Sequence, residues 1–423
     1  MTLARTDEME LILMANARRP VPAVPNDANA SGRSFGPDEL ELLKAVLDRG
    51  GLISQSGLVV PQLEKEFARW CGGVPYCVAT SSGTAGLHCA FAAVDPRPGD
   101  EIITTPITDM GAVMPILYQG AIPVFADVDC RTCNVTAQTI AARITDRTRA
   151  IVVTHLFGRP VDMDPVLALA RQRDLPVIED AAQACGAKYK GVQVGTLGAI
   201  GCFSLQQGKH MTCGEGGLVV TRDERYGKLI RTFHDKGWGF DDPNPDHDFL
   251  ALNYRMTELQ GAVALAQLRR LDGFVQHRRS MMHRLTDQFA DIDGIITPTE
   301  PEGIEHSYWR YALRVEEPLT GADLDRISEA LRQIGARTAP RYTQRLAFQH
   351  KFLAERRMFG GSGFPFVGPQ RAGATDPSYD PKDFPGAVDG LRRVLCIAVN
   401  EKFDEQVVDR IAAIIREAAK PVS

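Results

Sequence analysis

From Tyr76 to Thr221 the chain alternates apolar runs of strand length with segments of helical period. That alternation restricts the fold more than any other feature, because it favours a mostly parallel sheet with helices on both faces. The runs are YCVATS (76–81), EIITT (101–105), IPVFADV (122–128), AIVVTHL (150–156), LPVIEDA (175–181), AIGCFSL (199–205) and GLVVT (217–221). Strands covered on both faces read as near-continuous Val, Ile and Ala, and these do. Between them, TAGLHCAFAAV (84–94) and DPVLALARQRD (164–174) space their apolar residues as helices do.

The texture changes near Met256. TELQGAVALAQLRRLDGFVQHRRSMMHRLTDQFADI predicts one long helix bridging two domains, with Ala262, Leu265, Leu268 and Leu271 at three-residue steps. Beyond it, 306–315 reads as a strand, 322–335 as a helix and 404–420 as a terminal helix. Residues 340–390, rich in Pro, Gly and aromatics, predict a long irregular loop. With 423 residues, 44% of them hydrophobic, the chain is long enough for an N-terminal extension (1–35), a large domain (36–270) and a smaller C-terminal domain (271–423).

Several classes are disfavoured. A net charge of -5, with no block of like charges, argues against a nucleic-acid partner. Nine scattered cysteines do not form a disulfide framework, which suits a reducing cytoplasm. The lone CxxC, Cys130 to Cys133, lacks a second ligand pair and reads as a turn, so no metal site is expected. The stretch 1–20 has the wrong charge order for a secretory signal. No run approaches the roughly 18 apolar residues of a membrane span.

Ligands of open α/β sheets bind at the carboxyl ends of strands, and three such ends carry reactive residues. In TSSGTAGLHCAF a strand passes into Ser82, Gly83 and Thr84 at a helix start, either a phosphate cradle or an ordinary Ser/Thr cap. LPVIEDAAQACGA ends in Asp180, a partner for a protonated ring nitrogen or a helix-capping acid. AIGCFSLQQGKHMTCGEGG delivers Ser204 and then Lys209, either a solvated loop lysine or an amine able to form an imine with an aldehyde cofactor. Together the three supply what pyridoxal phosphate needs: a hold on the phosphate, a proton at the ring nitrogen and a bond to the aldehyde.

EDAAQACGA, CFSLQQGKHMTCGEGGLVVT and NYRMTELQGAVALAQL resemble the DegT/DnrJ/EryC1/StrS family of sugar aminotransferases, strongly from Gly36 to Arg270 and loosely beyond. The resemblance implies the aspartate-aminotransferase-like fold, fold type I of the pyridoxal-phosphate enzymes: a three-layer α/β/α large domain with a smaller α+β domain. It makes Lys209 the lysine that bonds the cofactor and Asp180 the ring-nitrogen partner. Gln183 would contact the ring hydroxyl, and Ser204 with the amides of Gly83 and Thr84 would hold the phosphate. Asn253 would reach the phosphate of the neighbouring subunit, implying a homodimer. The family's aromatic residue over the ring is missing from PITDMGAVMPIL, where Asp109 or Met110 takes the place. Implied substrates are glutamate or glutamine as donor and a ketosugar, often nucleotide-linked, or a ketocyclitol as acceptor. A sugar dehydratase has histidine in place of the lysine; here Lys209 precedes His210. A non-catalytic cofactor-binding regulator is the other alternative. His155 reads as a strand-end hydrogen-bonding residue. Trp238, His234 and Lys236 read either as loop residues or as acceptor contacts, and Gln206, Gln207 and His210 as possible substrate selectors.

Overall fold

The computed structural model describes residues 23–240 and 242–420. The N-terminal 20 residues, weighed above against a secretory signal, lie outside them.

The central sheet holds β1 (Tyr76–Thr80), β2 (Glu101–Thr104), β3 (Ile122–Phe125), β4 (Thr148–Thr154) and β5 (Val177–Asp180). After a small ribbon of β6 (Lys188–Tyr189) and β7 (Val192–Gln193), β8 (Ile200–Ser204) and β9 (Gly217–Thr221) complete it. The spatial order is β1-β9-β8-β5-β4-β2-β3. Every pair from β8 to β3 is parallel, whereas β9 runs antiparallel to both β8 and β1. Residues 205–216 link β8 to β9 through turns without a helix, so the pair closes as an antiparallel hairpin and not through the helical crossover typical of a parallel pair.

Side-chain alternation assigns each strand residue to one of two cores. Ile178, Ile200, Cys202 and Val219 pack with Leu87, Ala90 and Phe91 of the helix Gly83–Ala93. Val177, Phe203, Leu218 and Val220 face the opposite side. Asp180 and Ser204 therefore end their strands on the face of the helix that starts at Gly83, and Glu179 ends on the other.

A second core gathers around an antiparallel sheet of β10 (Ile295–Ile296), β12 (Arg310–Val315), β14 (Val394–Ala398) and β13 (Thr338–Pro340). Helices Leu271–Asp287, Gly321–Gln333 and Glu405–Ala418 cover it, and Val24 joins its apolar cluster. The remaining strand, β11 (Ile304–Glu305), extends the β6–β7 ribbon.

Two expectations need correction. The single long helix is two, Glu258–Leu268 and Leu271–Asp287, separated at Arg269 and Arg270. There the arginines turn to separate acids, Glu66 for Arg269 and Glu39 for Arg270. The strand expected from 306 starts only at Arg310, because Tyr308 has φ +50 and breaks the extended run. The 340–390 segment is largely irregular, as expected. Its aromatics anchor it to edge strand β3: the Phe348 ring lies tilted with its centroid 5.5 Å from that of Phe125, and the Tyr379 hydroxyl donates to the Pro123 carbonyl at 2.7 Å.

Candidate active site

The three strand ends converge. An ideal Cβ on Gly83 would stand 2.8 Å from Ser204 Cβ, so only glycine lets the helix start lie against the end of β8. The Gly83 and Thr84 amides sit at the first positions of that helix, where no intrahelical carbonyl reaches them. Ser82 acts as the cap: its hydroxyl accepts from Ala85 N–H at 3.0 Å. Thr84 lies beside Gly111, whose added Cβ would stand 2.4 Å from Thr84 Oγ1. The Ser204 hydroxyl accepts from Gln206 N–H at 3.3 Å.

Asp180 is buried and poorly supplied with donors. One oxygen accepts from Ala182 N–H at 3.1 Å and the other from the Thr154 hydroxyl at 3.5 Å. Burial raises its pKa above the ordinary carboxylate value, against the Ala182 hydrogen bond and the nearby Lys209 charge. A buried carboxylate in that condition is suited to a cationic partner.

Lys209 is half-buried, its Nζ 4.2 Å from the centroid of the Trp309 ring. Desolvation lowers its amine to about 8; Arg310 acts in the same direction, while Asp180 and Asp109 oppose it. Roughly a tenth of the amine is thus uncharged and nucleophilic at pH 7, far more than at the ordinary lysine value. His210, the next residue, turns inward, where its Nε2 faces the Ser307 carbonyl at 3.0 Å. Its ring is fully buried and engaged with that carbonyl, whereas Lys209 Nζ lies over the Trp309 ring.

Gln183 is oriented by two bonds: its carbonyl accepts from Phe157 N–H at 2.9 Å and its amide donates to the Tyr342 hydroxyl at 3.0 Å. Asp109 caps a short turn, accepting from Gly111 N–H at 2.8 Å, and its charge is felt at both Lys209 and Asp180. No aromatic ring occupies its position. Asn253 is exposed, and its side chain only accepts from Arg255 N–H at 3.2 Å, so it is not brought to Lys209 of its own chain.

His155 is a hydrogen-bonding residue: Nδ1 accepts from Val161 N–H at 3.0 Å, leaving Nε2 to donate to Glu179 at 2.9 Å. His234 is buried against the end of its own helix, and Lys236 pairs with buried Asp235 at 3.4 Å. Trp238 meets His247 edge to face. Gln206 closes its own turn on Gly208 N–H at 2.8 Å, and Gln207 donates to the Asp27 carbonyl at 3.1 Å.

Trp309, Arg310, Tyr342, Asp27 and Arg33 were not singled out from the sequence, yet each touches a candidate residue, the turn that carries Lys209 or the Trp309 ring beside it. They lie a hundred residues or more from Lys209 along the chain and share no local motif with it. The aromatic cluster WRY was the only signal available.

A lysine with a lowered pKa, a donor-poor buried aspartate and a helix start with free amides stand near the carboxyl ends of one sheet, where open α/β sheets bind their ligands. Residues 34–362 match the model of the DegT/DnrJ/EryC1/StrS aminotransferase family. The chain belongs to that family and is an aminotransferase. It is 38% identical over 291 residues to a GDP-perosamine synthase of Caulobacter vibrioides, covering 68% of this chain and 77% of that protein. It is 30% identical over 401 residues to the spore coat polysaccharide biosynthesis protein SpsC of Bacillus subtilis, covering 91% of this chain and 95% of the relative. The solved structure of 3-amino-5-hydroxybenzoic acid synthase superposes with a TM-score of 0.81 at 26% identity, over 94% of this chain and 99% of that one. The aspartate-aminotransferase-like α/β fold expected from the sequence is the fold observed. No helix among the described residues is long and apolar enough to cross a membrane.

Proposed function

We propose that this chain uses pyridoxal phosphate to move an amino group from glutamate or glutamine to a keto sugar. The observation that carries the reading is the convergence of Lys209, Asp180 and the Gly83–Ser204 cradle. These residues fit the cofactor: the cradle is shaped by a glycine, and the donor-poor carboxylate suits a protonated ring nitrogen. When bound, the cofactor serves as the electron sink and as carrier of the amino group.

The chain's own residues have separable tasks. Gly83, Thr84 and Ser204 supply the donors that hold the phosphate. Asp180 would pair with the protonated ring nitrogen, Gln183, whose amide donates to the Tyr342 hydroxyl, would meet the ring hydroxyl, and Lys209 Nζ would hold the cofactor and move a proton at the donor's α-carbon. Asp109 lies at the edge where a stacking ring would stand. Asn253, exposed on this chain, reaches a neighbouring site in a homodimer working in the cytoplasm. Similarity to a GDP-perosamine synthase and to a polysaccharide biosynthesis protein favours a nucleotide-linked keto sugar over a ketocyclitol. Dehydration is disfavoured because Lys209 stands where a sugar dehydratase has histidine, and His210 is buried against the Ser307 carbonyl.

The test is a half-reaction screen. Enzyme loaded with pyridoxamine phosphate is offered keto sugars, free and nucleotide-linked, and ketocyclitols, and recovery of the aldehyde spectrum is followed. Recovery with a keto sugar supports the reading. A protein that takes up no cofactor, or returns no aldehyde with any acceptor, contradicts it.

A further inference from the structure

The turn that carries Lys209 is held by side chains from elsewhere. Within the turn, Lys209 N–H donates to the Gln206 carbonyl at 2.9 Å and Gln207 N–H to the Gly214 carbonyl at 2.9 Å. The carbonyls of residues 207, 208 and 209 all point outward, and each meets a donor from a distant segment. Trp309 Nε1 donates to Gly208 at 2.8 Å. A single guanidinium, Arg33, donates from one Nη2 to both the Gln207 and the Lys209 carbonyls, the latter at 2.8 Å.

Arg33 belongs to the strap 23–35, ahead of the first long helix. Its side chain is fully buried, with Nε on the Asp27 carbonyl at 3.3 Å and Nη1 on Glu401 at 3.3 Å. Glu401 in turn accepts from buried Arg278 at 3.2 Å, and the Ser34 amide donates to its other oxygen at 3.1 Å. A second tie comes from Gln207, whose amide donates to Asp27. Asp27 itself, buried, pairs with Arg337 and with Arg310, and Arg310 lies 4.5 Å over the same Trp309 ring that Lys209 faces. The strap is thus fastened to the second core at Glu401 and Arg337 and to the Lys209 turn at two carbonyls.

A guanidinium is suited to this task because it presents several donors in one rigid plane. An ammonium in its place could pair with Glu401, but could not reach both carbonyls with fixed geometry. We propose that the strap is a positioning element for the reaction and that Arg33 is its positioning residue, fixing the backbone from which Lys209 reaches the cofactor. This rests on the reading of Lys209 as the cofactor-bearing lysine.

The experiment compares full-length wild type with Arg33→Lys, both reconstituted with pyridoxal phosphate. Two quantities are read: the rate of the amino-donor half-reaction at saturating donor, and the pH midpoint of the visible cofactor band. A shift of Lys209 by a fraction of an ångström predicts a rate loss of about tenfold or more, with a moved midpoint. Leu324→Ala, a truncation in the second core that touches no part of the turn, serves as the stability control. It should lower the melting temperature and leave the rate per folded molecule and the midpoint alone. If Arg33→Lys does not fold, Gln207→Ala removes the other tie from a half-buried side chain and is read the same way. A wild-type rate and midpoint in the variant overturn the inference, as does a control that reproduces both changes. A wild-type protein without any cofactor band overturns the functional reading and this inference with it; a normal wild-type band beside an unaffected variant overturns this inference alone.

Discussion

Glu179 and Asp180 are neighbours at the end of β5, on opposite faces of the sheet, and both are buried carboxylates. Glu179 is saturated. It accepts from the amides of Gly195, Leu197 and Gly198 at 2.6–2.7 Å and from His155 at 2.9 Å. Asp180 receives one amide at 3.1 Å and one distant hydroxyl at 3.5 Å, and its pKa is raised by burial. A carboxylate with its donors already in place stabilises the fold and has no capacity left. One without them weakens the fold until a cation arrives, and that is the condition expected of a ligand-binding acid.

The comparison can be broken at several points. The largest effect is expected on the side of the sheet that Asp180 faces: Lys209→Ala should lose turnover by about 10²- to 10⁴-fold or more, while circular dichroism stays native. Asp180→Asn should reduce the amino-transfer rate by about 10²- to 10³-fold without lowering the denaturation midpoint, since it removes a carboxylate that burial penalises. Glu179→Gln should do the reverse, costing about 3 kcal/mol in denaturant titration because amides that donated to a charge lose it. Its rate per folded molecule should stay close to wild type. Exchange of these two outcomes would mean that the roles are assigned to the wrong neighbour.

The pH dependence sharpens the contrast. Asp180's folded pKa lies above its unfolded one, so the folded state binds the extra proton between the two values. Apoprotein stability from this group is therefore greatest below the ordinary carboxylate value and is lost as pH rises through the folded pKa. Asp180→Asn should remove that slope from a series of melts. For Lys209 the folded pKa is depressed to about 8, so the rate of cofactor attachment to the apoprotein should rise with a midpoint there rather than at the ordinary lysine value. The smallest effect is expected from Thr154→Val, which deletes only the 3.5 Å contact to Asp180. A long hydrogen bond of that kind contributes under about 1 kcal/mol, so rate and stability should change little.

How much of this could be read from residue order follows from sequence distance. The parallel core was legible because β2 to β5 and β8 are buried on both faces and therefore written as unbroken apolar runs. The antiparallel sense of β9 was not, since its direction is set by the short link through the Lys209 turn and not by its composition. Asp180, Ser204, Gly83 and Lys209 could be named as candidates because each stands at, or a few residues beyond, the end of a recognisable strand. Arg33, Asp27, Trp309 and Tyr342 could not. They reach the site through tertiary contacts among the strap, the second core and the Lys209 turn, and a lone buried arginine or tyrosine has no local signature. The helix break at Arg269 and Arg270 escaped for the same reason, because the acids that draw the two arginines apart lie some two hundred residues earlier. Ser82 shows the opposite limit: the ordinary capping reading was correct for its side chain, while the amides beside it remain available.

The central claim is that Lys209 is the residue to which the cofactor bonds. Reconstitution of the intact protein with pyridoxal phosphate, reduction with borohydride and peptide mapping by mass spectrometry tests it directly. The account predicts one irreversibly labelled lysine, in the peptide containing QQGKHMTCGEGG, at Lys209. Label on another lysine, or a reduced protein carrying none, would contradict it.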